Sequence, residues 1–316
     1  MTTEMFKICR FRTLNNSCTN GKSFVFLLCI SWWLTIASES MAVDTDFYIV
    51  AHADDWQLFM GDKAWADVHA GHKVIFVQLG AASNASWPNW EEGNQLSIES
   101  LAGADASEVH AACLWQMINS HPICKRSYNN TAAYYLRLPV AHYQTRHGFE
   151  VSKFQTLEQT HLGVNILESL GENATRYESF SDLVSTLASI VGIEVDASDT
   201  TGLTINAQDP DTELNVNDHI DHLTAGCAAF IIARKASARL RLYLDYNSQS
   251  WPDNLDAQSV EVKTRLFSIF DTKVGIGINP DFSAFLRRTI FREILLYGVP
   301  SGAITSESLS TSCEMH

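Results

Sequence analysis

The chain has 316 residues, of which 46% are hydrophobic, 10% aromatic and 18% charged, the composition of a folded domain with a sizeable core rather than of a disordered or fibrous chain. Its formal charge is −14, and the 274 residues after position 42 carry 22 − 4 basic against 36 − 2 acidic side chains, a net of −16. Such an excess of carboxylates repels a phosphate backbone, so no nucleic-acid partner is expected.

In chain order, Lys7, Arg10, Arg12 and Lys22 precede the mostly apolar run Phe24 to Ala37, and Ser40-Met41-Ala42 offers a small-x-small cleavage signature. Residues 1–42 therefore read as a secretory signal, which predicts a secreted, periplasmic or cell-envelope protein with no stable membrane span after cleavage. The run is shorter than the ~20 residues of a bilayer span. Two alternatives stay open: Met41 as the true start of a cytoplasmic protein, or an uncleaved anchor. No repeat or Pro/Gly/Ser-rich linker divides residues 43–300, which read as one domain, and residues 301–316 read as a frayed, Ser/Thr-rich tail.

Four runs rich in β-branched and aromatic residues predict buried strands: Phe47 to Val50, Lys73 to Leu79, Tyr134 to Leu138 and Leu203 to Asn206. A fifth, Arg239 to Tyr246, alternates Leu240, Leu242 and Leu244 with Arg239, Arg241 and Tyr243, which suits a sheet edge. Helical patterns fill the gaps at Ser107 to Asn119, Phe154 to Leu170, Ser181 to Val191 and His222 to Ala236, with two more at Leu255 to Phe270 and Asp281 to Tyr297. This alternation predicts an α/β fold, a three-layer sandwich around a mostly parallel, Rossmann-like sheet, with ligands bound beyond the carboxyl ends of the strands. Four of the seven cysteines, Cys113, Cys124, Cys227 and Cys313, follow residue 42 at spacings that match neither metal knuckles nor redox pairs. An oxidising compartment would permit a Cys113–Cys124 disulfide, and Cys227 reads as a buried free thiol.

The chemistry concentrates in two places. Ala51-His52-Ala53-Asp54-Asp55 ends the first strand, putting an imidazole and two carboxylates where α/β enzymes keep their sites. Asn217-Asp218-His219-Ile220-Asp221-His222 opens a helix, with Asn217 or Asp218 as N-cap and His219 and His222 one turn apart on one face. Neutral imidazoles opposite a His-Asp-Asp strand end make a facial site for a divalent metal.

The pair of motifs AHADD (Ala51 to Asp55) and HIDH (His219 to His222) resembles the PIG-L/LmbE-like zinc-dependent N-deacetylases, over roughly Phe47 to Tyr246. The resemblance implies that His52, Asp55 and His222 hold Zn2+ or another divalent metal, that Asp54 is the general base, that His219 stabilises the oxyanion or serves as acid, and that Asp221 orients a histidine. The substrate implied is a small molecule or glycan bearing an N-acyl, usually N-acetyl, group. Departures are Ala53 in place of the usual Pro, Trp56 in place of the usual Glu, and Asp105 where an Arg three residues before Glu108 is usual, which puts sugar-nucleotide or phospholipid-linked substrates in doubt.

Trp87 and Trp90, after the second strand, are candidates for stacking on a sugar ring, or else packing anchors. His69 and His72 should lie at the opposite end of the sheet without clustered carboxylates, and His110, His121, His142, His147 and His161 lack partners at ligand spacing. Asn84, Asn129 and Asn173 stand in glycosylation-type triplets that arise often by chance. The rival class is a non-catalytic carbohydrate- or metal-binding protein; a nucleotide-binding domain is disfavoured because no GxGxxG or GxxxxGK[ST] loop follows a strand.

Overall fold

The structure, a computed structural model, describes residues 43–81, 86–140, 167–195, 200, 202–296 and 313. The predicted helix Phe154 to Leu170 lies outside them as far as residue 166, as do His142, His147, His161, Asn84 and residues 1–42; Leu167–Glu168 is a short strand.

Eight strands form one sheet: β1 (Thr45–Val50), β2 (Lys73–Gly80), β3 (Leu114–Ile118), β4 (His121–Tyr128), β5 (Thr131–Leu138), β8 (Leu203–Gln208), β9 (Arg239–Tyr243) and β10 (Phe291–Leu295). A separate hairpin holds β6 (Leu167–Glu168) and β7 (Arg176–Tyr177). Across the sheet the order is β10-β9-β8-β1-β2-β5-β4-β3. β9, β8, β1, β2 and β5 run parallel, while β10 at one edge and β4 near the other run against them, and the edge strand β3, antiparallel to β4, resumes their direction.

All six residues of β1 are buried, and their alternation divides the core between two faces. Phe47 and Ile49 pack with α3 (Phe180–Glu194) and α4 (Ile220–Ala236), through Leu183, Leu187, Ala229 and Phe230. Tyr48 and Val50 pack toward α1 (Gly61–His69), α2 (Trp87–Leu101) and α5 (Ala257–Val274), through Ala64, Ile98 and Phe267. The result is the three-layer α/β sandwich that the strand-helix alternation predicts. From β1 the chain winds outward to β2 and β5 on one side and later to β8 and β9 on the other, which opens a crevice at the carboxyl ends of β1 and β8.

Four expectations are corrected. Ser107 to Asn119 is no helix: it is a turn followed by β3, which hairpins into β4 at Asn119 (φ 48°) and Ser120 (φ 68°). Leu114 and Met117, whose spacing imitates a helical stripe, are 62% and 70% exposed on this edge strand. Asp281 to Tyr297 divides into α6 (Pro280–Phe285) and β10. The helix stops because the buried Lys263 of α5 donates to the Phe285 carbonyl (3.0 Å) and the Thr289 hydroxyl (3.1 Å), holding the chain in an exit turn. The fifth strand is not the edge, since β10 pairs outside it, with Arg241 bonded to Glu293 (3.0 Å). Cys227 is no free thiol: it is bonded to Cys313, which fastens the tail to α4 at that residue, and Cys113 is bonded to Cys124.

Candidate metal centre

The ladder between β1 and β2 runs one step past Val50, where Gly80 N donates to Ala51 O (2.8 Å). The chain then turns sharply through His52–Asp54, and Asp55, already in helical conformation (φ −60°, ψ −47°), opens a π-helical turn at Trp56–Met60. Asp55 Oδ2 accepts from His52 N (2.6 Å) and from Gln208 Nε2 at the end of β8 (2.6 Å), so two strand ends aim this carboxylate. Trp56, at the position where Glu is usual, is fully buried and donates from its indole to Asn94 of α2 (2.6 Å). Asn94 in turn donates to Gln78 of β2 (2.6 Å), and this network anchors the motif from beneath.

The second motif arrives on α4. Its N-cap is His219 rather than Asn217 or Asp218: His219 Nδ1 accepts from Asp221 N (3.2 Å), which leaves the proton on Nε2. Gly226 lets the helix lie directly on the end of β8, because a Cβ there would run into the Gln208 carbonyl oxygen and Pro210.

Three atoms converge between the motifs. His52 Nδ1 lies 3.1 Å from His222 Nε2, His222 Nε2 lies 3.2 Å from Asp55 Oδ1, and His52 Nδ1 lies 3.6 Å from Asp55 Oδ1. Tetrahedral zinc with bonds of about 2.05 Å sets its ligand atoms ~3.4 Å apart, so each edge of this triangle is within about 0.3 Å of that spacing. The donor set, two imidazoles and one carboxylate, is also one that zinc takes while keeping a position open. Residues and geometry thus fit the metal.

Carboxylates back both imidazoles. Asp221 Oδ2 lies 3.1 Å from His52 Nε2, while Asp218 Oδ1 (3.0 Å) and Asp245 Oδ2 (3.3 Å) face His222 Nδ1. Each contact fixes the far nitrogen as N–H and turns the near lone pair into the triangle. Burial alone would lower the histidines' pKa values, but Asp55, with Asp221, raises His52 to about 9, and Asp55, Asp218 and Asp245 push His222 well up. The pocket is built for positive charge. Asp54 beside it is half-buried and raised to about 6, chiefly by burial and then by Asp55. His219 stands edge-on to His52, ring centroids 4.8 Å apart.

All six motif residues are therefore in one crevice. Gln208, Asp245 and Tyr246, whose ring centroid is 5.1 Å from that of His222, join them without any motif to announce them. Trp87, the first residue of α2, has the Arg137 guanidinium over its ring (5.0 Å) and lines a cavity; Trp90 packs edge-on against Phe270 (5.6 Å) in the core. Asp105 and Glu108 fall in the turn beyond α2, not on a helix. His72 is at the opposite end of the sheet, but with carboxylates after all: its Nδ1 meets Asp46 (2.7 Å) at the start of β1, close to Asp67 and Asp44. His121 is held by Thr175 (2.9 Å) and Asp182 (3.1 Å) and stacks on Tyr177.

No protein-family model matches the chain, and no curated protein does. Among solved structures, the antimicrobial reagent A40926 pseudoaglycone deacetylase Dbv21 is 13% identical, with 78% of this chain and 88% of that one covered at a TM-score of 0.46. The N,N'-diacetylchitobiose deacetylase from Pyrococcus horikoshii is 13% identical over 89% and 95%, at 0.43. GalB, the 4-carboxy-2-hydroxymuconate hydratase from Pseudomonas putida, is 11% identical over 78% and 84%, at 0.41. Likeness this distant carries no argument about activity, which rests on the residues. Among the described residues no helix is long and apolar enough to cross a membrane.

Proposed function

We propose that the protein is a zinc-dependent N-deacetylase that hydrolyses the acetamido group of an amino sugar or related amine. The observation that carries this reading is the His52–Asp55–His222 triangle of 3.1, 3.2 and 3.6 Å, with Asp54 one residue away as a separate carboxylate. His52 Nδ1, Asp55 Oδ1 and His222 Nε2 would hold the metal. When bound, it supplies Lewis acidity to the carbonyl and a more acidic water.

Asp221 holds the His52 ring, and Asp218 with Asp245 holds the His222 ring, so both ligands are oriented before substrate arrives. Asp54 takes a proton from the attacking water, whose oxygen bonds to the acyl carbon. His219, with Nδ1 engaged at the helix cap, keeps its proton on Nε2 and stabilises negative charge on the carbonyl oxygen. The C–N bond then breaks and the abstracted proton passes to the leaving nitrogen. The products are acetate and a free amine.

We further propose that the enzyme works outside the cytosol, in keeping with the apolar run Phe24 to Ala37 and with the two disulfides, which persist in oxidising compartments. The test measures metal content and acetate release together, on a panel of N-acetylated amino sugars, beside Asp54→Ala. Near-stoichiometric zinc with release abolished in the variant supports the hydrolase. Zinc without turnover on any substrate favours a non-catalytic carbohydrate- or metal-binding role.

A further inference from the structure

Two strands along the sheet from the metal centre, the carboxyl end of β5 opens into a cavity of about 510 Å³, a size typical of ligand sites. Trp87, Glu91, His110, Ala112, Arg126 and Arg137 are among its lining residues. We propose that this cavity is a saccharide subsite, taking a neutral, hydroxyl-rich ring of a glycan whose acetamido group lies at the metal centre. The placing of the acetamido group rests on the deacetylase reading; the cavity's taste for a neutral ring does not.

Register sets the geometry. Leu138, next to Arg137, pairs with Gly80, and Gly80 N bonds to Ala51 O (2.8 Å), so the cavity wall and His52 stand at the same level above the sheet. β2 intervenes between β1 and β5, so two strand spacings, ~10 Å, separate them laterally. That is the reach of a short oligosaccharide, too far for a single ring to touch both.

The wall is prebuilt. Among the described residues with left-handed backbone, Arg137 (φ 57°) alone is neither Gly, Asn nor Ser, a strained conformation of the kind that concentrates at functional sites. Its guanidinium lies between Trp87 (5.0 Å) and Trp115 (4.9 Å) and grips both oxygens of Glu91 at 2.7 Å. Opposite, the Glu99 carboxylate accepts from His110 N (2.7 Å) and Ala111 N (2.9 Å), Arg126 donates to Ala111 O (2.9 Å), and the Cys113–Cys124 bond ties this segment to β4.

Charge selects the ligand. Arg126 (3.5 Å) and Arg137 (2.7 Å) both face Glu91, Glu92 pairs with Lys273 (2.7 Å), and Glu99 behind the His110–Ala111 wall adds a third carboxylate, so three cations stand against three anions. A phosphate or sulfate would meet as much repulsion as attraction. Interleaved guanidinium donors and carboxylate acceptors beside an indole suit the alternating hydroxyls of a neutral sugar ring.

The decisive variant is Ala112→Trp, which puts an indole into the cavity from an exposed position. Wild-type enzyme should show a higher kcat/KM on N-acetylated di- and trisaccharides of glucosamine than on the monosaccharide. The variant should lower that ratio about tenfold, through KM. Trisaccharide binding to Asp54→Ala, followed by saturation-transfer NMR with and without the added Trp, reads the cavity independently of turnover. A ratio near one in the wild type, or trisaccharide binding indifferent to residue 112, overturns the subsite. Binding that depends on residue 112 with no acetate released from any substrate keeps the subsite and overturns the deacetylase.

Discussion

Loading the chelated protein with zinc should raise its melting temperature by about 5–11 °C. The three ligand atoms already stand within about 0.3 Å of tetrahedral zinc spacing, and their imidazoles are locked by Asp221, Asp218 and Asp245. Little binding energy is therefore lost to rearrangement. Free zinc at one hundred times its Kd then stabilises the folded state by about 2.7 kcal/mol. For a domain of this size, each kcal/mol moves the midpoint by roughly 2–4 °C. Differential scanning fluorimetry with EDTA, then with buffered zinc, measures the shift. His52→Ala, at the most exposed ligand (15%), should abolish it with little change to the chelated midpoint. A shift below about 1 °C in the wild type, or an equal shift in the variant, refutes the assignment of these ligands.

Asp54→Asn should keep the zinc-dependent shift and lose acetate release by at least about 100-fold, because the side chain is offered as a base and not as a ligand; steady-state kinetics beside fluorimetry separates the two. Glu194 should govern an acid limb of stability. Burial would raise its pKa, but hydrogen bonds from Lys125, Lys73 and Tyr134 outweigh this and hold it below the ordinary 4.5. Its contribution is therefore complete above that value and lost as pH falls through the lower, folded one, so Glu194→Gln should lower stability at pH 7 and flatten that limb in denaturant titrations. Cys227→Ser opens a loop of 86 residues and should cost about 2–4 kcal/mol, read from the urea midpoint under oxidising conditions.

AHADD and HIDH are legible because each pairs metal-ligand chemistry with the end of a strongly patterned element, the six-residue buried β1 and the capped α4. Gln208 and Asp245 are not, since their importance arises from contacts 153 residues away, to Asp55, and across β9, to His222. The strand β3 hides behind the spacing Leu114, Met117, Ile118, which a helix would also produce. Only the left-handed pair Asn119–Ser120 and the bond from Cys113 to β4 decide for a hairpin. Lys263 shows the same limit in the core. Nothing in the sequence of α5 marks it out, yet it is fully buried beneath α6, with its pKa lowered to about 7 by that burial.

The π-helical turn at Trp56–Met60 accommodates one residue more than an α-helical turn, and it stands between the proposed ligand Asp55 and α1. Deleting a single residue there would relax the turn into ordinary helix and rotate everything on one side of it by about 100° relative to the other. Trp56 could then no longer reach Asn94 while Asp55 still faced Gln208. Chain length in this segment is consequently as constrained as residue identity, and directed evolution of the protein should accept substitutions here long before it accepts an insertion or deletion.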